Sequence, residues 1–310
     1  GPMAAKLVPR MQKSAKLLYE IYIAMTVVQI VLLLLGGIPL FDSVNISLST
    51  VSTGGFCVRN DSMASYGAYA QNVTLIFMTL CSMSFSLFYC VLAREFLRIR
   101  RSRELRTFVV VGVALLMGID TASKFASVAD GVHHTLFQVI SIISTTCYVS
   151  IDASFWSPFV WAMLTVLMIT GPMSGSTGGG MKVSRIIILV KTGFKELKYI
   201  VNPRAVTTVK MDGKPVERDV IRGVTSYFIL FMMLFSISLL IVSFDKYSIE
   251  ESLSAVITCM NNIGFGVGRF GSAGNFGGLS ALSKIVLSFD MLIGRLEIYP
   301  LIMLFAVRKR

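Results

Sequence analysis

Charge is what this chain most lacks. Of its 310 residues only 15% are Asp, Glu, Lys or Arg, where a soluble domain carries about 25%, so an ordinary water-soluble globule is excluded. Acid is scarcer than base, 17 residues against 29, for a net charge of +12. Such a balance first suggests a nucleic-acid partner, but the distribution of the bases argues against one. Cysteine numbers five, with no CxxC pair and no ligand spacing to His133 or His134, which leaves neither a metal centre nor a redox pair. In so apolar a chain Cys57, Cys81, Cys90, Cys147 and Cys259 read as packing residues, and nothing supports a Cys57–Cys147 disulfide. No catalytic constellation, nucleotide site or signal peptide is evident. The chain begins Gly1-Pro2 rather than with Met, which raises the expectation of a fragment or a processed chain.

What is present is hydrophobic. Apolar residues make up 54% and the mean hydropathy is +0.72. The runs 17–35, 72–93, 155–170, 224–244 and 282–307 approach or exceed the ~20 residues that cross a bilayer. Of the 29 Lys and Arg, 23 fall in four clusters: before Leu17, in 94–106, in 182–222 and in 308–310. Cytoplasmic loops carry such an excess. One topology satisfies all four, with both termini cytoplasmic.

A pattern recurs three times between the apolar runs. An amphipathic stretch of about three helical turns (42–51, 132–143 and 248–260) runs into a polar turn, and a long apolar helix follows. The turns read Ser52-Thr53-Gly54-Gly55-Phe56, Ser144-Thr145-Thr146-Cys147-Tyr148 and Asn261-Asn262-Ile263-Gly264-Phe265. Helix, extended turn and helix within a membrane is how a chain offers backbone carbonyls to a dehydrated cation. Helix C-termini aimed at that point add partial negative charge. The carbonyls expected to serve are those of Thr53, Gly54, Thr146, Cys147, Asn262 and Ile263. One such turn would pass for an ordinary loop; three at equivalent places argue for a repeated unit.

Two further features stand out. Gly175-Ser176-Thr177-Gly178-Gly179-Gly180-Met181-Lys182 superficially resembles a phosphate loop, but Val183 follows Lys182 and no strand precedes it. Irregular backbone at membrane depth survives only when buried in protein or lining a cavity, so an intramembrane gate is expected, a packed kink being the alternative. Arg295 lies in an apolar helix shared with Asp290 and Glu297. An intramembrane charge faces a cavity or a partner; Arg295 reads as a barrier in a permeation path, or as half of a helix-locking ion pair. Asp212-Gly213 predicts a small β-hairpin in the linker. The expected organisation is a helical unit over 1–106, a second over 107–204 carrying the glycine-rich loop, a hairpin linker over 205–220 and a third unit over 221–310.

Together these motifs, Ser-Thr-Gly-Gly-Phe at 52–56, Gly-Ser-Thr-Gly-Gly-Gly-Met-Lys at 175–182, Asn-Asn-Ile-Gly at 261–264 and Gly-Arg-Leu-Glu-Ile at 294–298, resemble the Trk/Ktr/HKT superfamily, most nearly its TrkH-type potassium uptake subunits. The resemblance covers nearly the whole chain. It implies an all-α polytopic membrane protein of helix–pore-helix–helix units around a pseudo-fourfold pore, with this chain matching units two to four of four. It implies a bacterial inner-membrane protein, transported potassium and no nucleotide cofactor in this chain. It also implies homodimeric assembly and a cytoplasmic regulatory ring of the TrkA type. Residues 175–180 would be the gating loop, Arg295 the arginine beside it, and Gly55 and Gly264 filter glycines. The sequence departs from the pattern at a glycine expected between Cys147 and Tyr148, at Pro172, at Phe265 and at Asp290. A non-conducting scaffold derived from such a transporter is the second reading, and a membrane-embedded phosphate-handling enzyme, resting on 175–182 alone, the third.

Overall fold

A computed structural model describes residues 11–92, 94, 102, 104–109, 127–151, 157–204, 207–264, 266, 268–271 and 274–306. The apolar stretch 108–117, expected from the sequence to form a short entering helix of the second unit, falls mostly outside them, as do most of the basic cluster 94–106, Phe155, Phe265 and the basic residues 308–310.

The described residues are mostly helical. Helix α1 (Met11–Leu35) stops at Gly36-Gly37, and Pro39 precedes α2 (Leu40–Val51). Proline suits this place because the first helical N–H groups have no partner to lose. Next come α3 (Ala68–Ser82) and α4 (Phe85–Leu92). A single helix is expected over 69–97; the structure breaks it at Met83-Ser84. The break is occupied: Met173 N–H donates to Ser82 O and Phe85 N–H to Gly175 O, both at 3.1 Å. The freed backbone groups are satisfied by a segment remote in sequence, which hydropathy along one run cannot reveal.

The second set consists of α5 (Val128–Ile143), α6 (Pro158–Thr170) and α7 (Val183–Val201). Ser127 and Ser157 cap α5 and α6 through their hydroxyls. The hairpin pairs β1 (Lys210–Met211) with β2 (Lys214–Pro215), Lys210 opposite Pro215. Asp212 and Gly213 both take positive φ, 50° and 83°, as a type I′ turn requires.

The third set is α8 (Arg218–Ser243), α9 (Ile249–Met260) and α10 (Ala281–Leu296), followed by α11 (Ile298–Ala306). Ser248 and Glu251 form a reciprocal capping box on α9. The run 282–307 is interrupted at Glu297, which holds φ +65°.

Packing follows the sets. α1, α2 and α3 pack mutually; α3 meets α5, α5 meets α6 and α6 meets α9; α9 packs with α8 and α10. Three apolar clusters result, one centred on Leu33, Ile46 and Met78, one on Val139, Ile142 and Leu164, one on Val256, Met260 and Leu287. Polarity runs inside out. Ser43, Ser47, Thr50, Ser141, Ser144, Thr146, Ser252 and Thr258 are buried, whereas Val27, Val31, Ile229, Leu240, Ile285 and Phe289 are exposed. An apolar exterior around buried hydroxyls suits lipid rather than water. Among the described residues two helices, 16–35 and 218–243, are long and apolar enough to cross a membrane.

Candidate functional site

The three polar turns are built alike. After α2, Thr53 N–H donates to Thr50 O and Gly54 N–H to Ser49 O. After α5, Thr145 donates to Ile142 and Thr146 to Ser141; after α9, Asn262 donates to Cys259 and Ile263 to Thr258. Each is a Schellman ending, in which a left-handed residue turns the chain and two N–H groups fold back onto the helix. The left-handed residues are Thr53, Thr145 and Asn262, with φ of 53°, 57° and 55°. Glycine is usual at this place; three non-glycine residues hold it here at a cost of about 1–2 kcal/mol each. With these N–H groups tied to the helix, neither is left to compete with an ion for the carbonyls that follow.

This register aligns Thr53 with Thr145 and Asn262, Gly54 with Thr146 and Ile263, and Gly55 with Cys147 and Gly264. The glycine expected between Cys147 and Tyr148 is therefore not a gap in the chain. Cys147 itself stands at the place of Gly55 and adopts its backbone, φ 62° against 72°.

The turns meet one another. A Cβ on Gly55 would overlap the carbonyl oxygen of Thr146, and one on Gly264 would lie 3.5 Å from Cys147 Cβ. Tyr148, fully buried, donates its hydroxyl to Ile46 O at 3.1 Å and so ties the second turn to α2. Ser141 Oγ braces Tyr148 O at 2.6 Å, and Ser144 Oγ donates to Thr146 Oγ1 at 2.9 Å. Between the first and third turns the approach is open. A cavity of about 770 Å³ lies there, lined by Ser52 to Phe56, Asn262, Ile263 and Gly264, and closed on one side by α10 residues including Met291 and Arg295.

The glycine-rich segment spans Gly171 to Lys182 beneath all three helix ends. Thr177 Oγ1 donates to Val51 O at 3.2 Å, and Gly179 N–H donates to Thr145 Oγ1 at 3.0 Å. A Cβ on Gly179 would stand 2.7 Å from Asn261 O, and one on Gly178 would meet Pro172, Thr145 and Ser144 within 2.9 Å. Gly171, Gly175 and Gly180 take positive φ. The glycines are needed because the segment is pressed against backbone on three sides. Lys182 is buried and donates to Gly178 O, with the Ser176 carbonyl at 3.4 Å.

Among the described residues Arg295 has no acidic partner in an ion pair. It donates to Ser52 O at 2.7 Å and to Thr53 Oγ1 at 3.3 Å, so a guanidinium sits at the C-terminal end of α2. That end carries partial negative charge, which the guanidinium meets. Glu297 pairs instead with Arg185 at 2.8 Å. Asp290 does not line the cavity; it is buried and accepts from Ser238 Oγ at 2.9 Å.

Sequence reasoning missed the acceptors Ser49, Ser141 and Thr258 and the contact of Thr145 with the glycine segment. A signal existed for the first: a Ser or Thr recurs three residues before each polar cap, at Ser49, Ser141 and Thr258. The contact between Thr145 and Gly179 has no counterpart along the chain. All five cysteines are free thiols, and no group of three or more metal-ligating side chains occurs among the described residues.

This geometry has known counterparts. The sequence profile described as "TrkH: Cation transport protein" matches residues 3–309. The chain is 32% identical over 313 residues to the Trk system potassium uptake protein TrkH of Vibrio parahaemolyticus, covering 98% of this chain and 64% of that protein. It is 31% identical over 310 residues to the Trk system potassium uptake protein TrkG of Escherichia coli K12, covering 97% and 63%. The crystal structure of the potassium transporter TrkH from Vibrio parahaemolyticus superposes with a TM-score of 0.86 at 31% identity, over 96% of this chain and 65% of that one. The chain thus spans just under two thirds of the length of these relatives. It belongs to the TrkH family of cation transport proteins.

Proposed function

We propose that this chain forms three walls of a potassium-uptake pore in a bacterial inner membrane. The three equivalent Schellman endings carry the proposal. They tie the N–H groups inward, bring Gly55 against Thr146 and Gly264 against Cys147, and leave carbonyls of Thr53, Gly54, Thr146, Cys147, Asn262 and Ile263 for a dehydrated cation. Relatives named as potassium uptake proteins at about the same identity support potassium as the cargo. The open side between Ser52–Phe56 and Asn262–Gly264 is the place for a fourth helix–turn–helix unit.

In this reading residues 175–180 are the gate, because they lie under all three pore-helix ends. Arg295 adds an electrostatic barrier at the end of α2. Units over 1–106, 107–204 and 221–310 with a hairpin linker over 205–220 are two to four of the pore. The basic stretch 182–222, apart from the buried Lys182 and Arg185, faces the cytoplasm and docks a regulatory ring of the TrkA type, and the pore works as a homodimer. Catalysis has no part in this reading: the glycine segment is filled by backbone contacts and Lys182, which disfavours a phosphate cradle.

Rubidium flux into proteoliposomes tests it, with the chain alone and with a separately supplied first unit. Flux that depends on the added unit is expected. Folded protein without flux in either case would favour the scaffold reading, in which Asp290 and Cys147 mark a pore that no longer conducts.

A further inference from the structure

The two barrier elements lie on different parts of the chain, and one half-buried ion pair joins them. Arg185 is in the first turn of α7, three residues after Lys182, and the residue is 5% exposed. The loop base is tied to that turn: Val183 N–H donates to Pro172 O at 3.1 Å and Arg185 N–H to Lys182 O at 3.1 Å. Glu297 lies two residues after Arg295, at the break between α10 and α11, with a left-handed backbone. Arg185 Nη2 meets Glu297 Oε2 at 2.8 Å. The guanidinium also covers the Tyr227 ring at 4.1 Å, and Tyr299, just past the break, donates its hydroxyl to Gly223 O on α8 at 2.9 Å. The Arg185 side of the pair is buried while the Glu297 side is 26% exposed, so parting it strands the guanidinium in a site poor in water. The pair therefore favours joint movement of the two segments.

We propose that the Arg185–Glu297 pair is a mechanical link between the glycine segment and Arg295, so that the loop cannot leave the helix ends without drawing Arg295 off Ser52. Lys182 sets the resting position. Its ammonium occupies the loop's own carbonyls at Ser176 and Gly178 as a tethered cation, and Glu104 holds the far side through Ser174 N–H at 2.6 Å. Arg185 and Glu297 are positioning residues: neither lines the cavity. The inference rests on the gate reading of 175–180, but its test does not depend on it.

The test places a cysteine at Ser176, in the half-buried part of the loop, and measures its rate of modification by a soluble thiol reagent alongside rubidium flux. Glu297→Gln on the far helix is expected to raise the labelling rate at least fivefold. The swap Arg185→Glu with Glu297→Arg is expected to return it to within twofold of the parent, a rescue that a merely space-filling role would not give. Glu297→Asp, which keeps the charge, guards against misfolding and should fall between. Labelling unchanged in Glu297→Gln and in Glu297→Asp, from folded protein, would overturn the link. Labelling that rises without any change in flux would uphold the link and overturn the gate reading.

Discussion

Cys147 holds a left-handed backbone at the place where the first and third turns have Gly55 and Gly264. The strain costs about 1–2 kcal/mol, and burial of the thiol, at 5% exposure, returns about 1 kcal/mol. Cys147→Gly should therefore leave thermal stability within about 1 kcal/mol of the parent. Cys147→Val, β-branched at positive φ, should lose about 2 kcal/mol or more. Thermal unfolding of the purified protein in detergent separates the two. Thr145 makes a complementary case. Its hydroxyl is the acceptor for Gly179 N–H at 3.0 Å, and Thr145→Val leaves that buried donor unpaired, at a cost of about 1–3 kcal/mol. The loop seat weakens, and rubidium flux should rise about fivefold or more if the segment is a gate.

At the scale of elements, the pore-type helices are the best specified. α9 starts at a capping box, Ser248 with Glu251, and ends in a Schellman turn. Ser248→Ala should cost about 1 kcal/mol, read as a lower unfolding temperature with unchanged helix content by circular dichroism. Such signals are local, which is why the sequence located 42–51, 132–143 and 248–260, and the Asp212-Gly213 hairpin, within a few residues of the observed elements. The breaks at Met83-Ser84 and Glu297 were not legible. Each is held by a partner far along the chain, Gly175 and Met173 in the first case and Arg185 in the second, and in the first case an uninterrupted apolar run hides it. The same limit applies to the glycine segment. Its composition announced irregular backbone, but its seat on Val51, Thr145 and Asn261 comes only from the packing of three helix sets. The place of Cys147 was misjudged for another reason: a count along the turn shows a missing glycine, whereas the helix-end hydrogen bonds fix the register.

Across the whole molecule, three helix sets surround a polar centre that is closed between the first and second turns and between the second and third. Between the first and third it is open, with Arg295 reaching the end of α2 from α10. If Arg295 and the loop are barriers, Arg295→Ala and deletion of 178–180 should each raise rubidium flux. Measured in proteoliposomes, unchanged flux in both would remove the gate from the account. Gly55 tests the centre itself. Its α-carbon lies so close to Thr146 O that any side chain overlaps that carbonyl, and its φ of 72° lies in the left-handed region that glycine adopts without strain.

The most direct measurement is rubidium and sodium flux through the assembled pore carrying Gly55→Ala, beside the parent. The account predicts rubidium preferred over sodium in the parent, and flux or preference lost in a variant that still folds. A folded Gly55→Ala protein that conducts both ions as the parent does would show that the three turns are not the ion path.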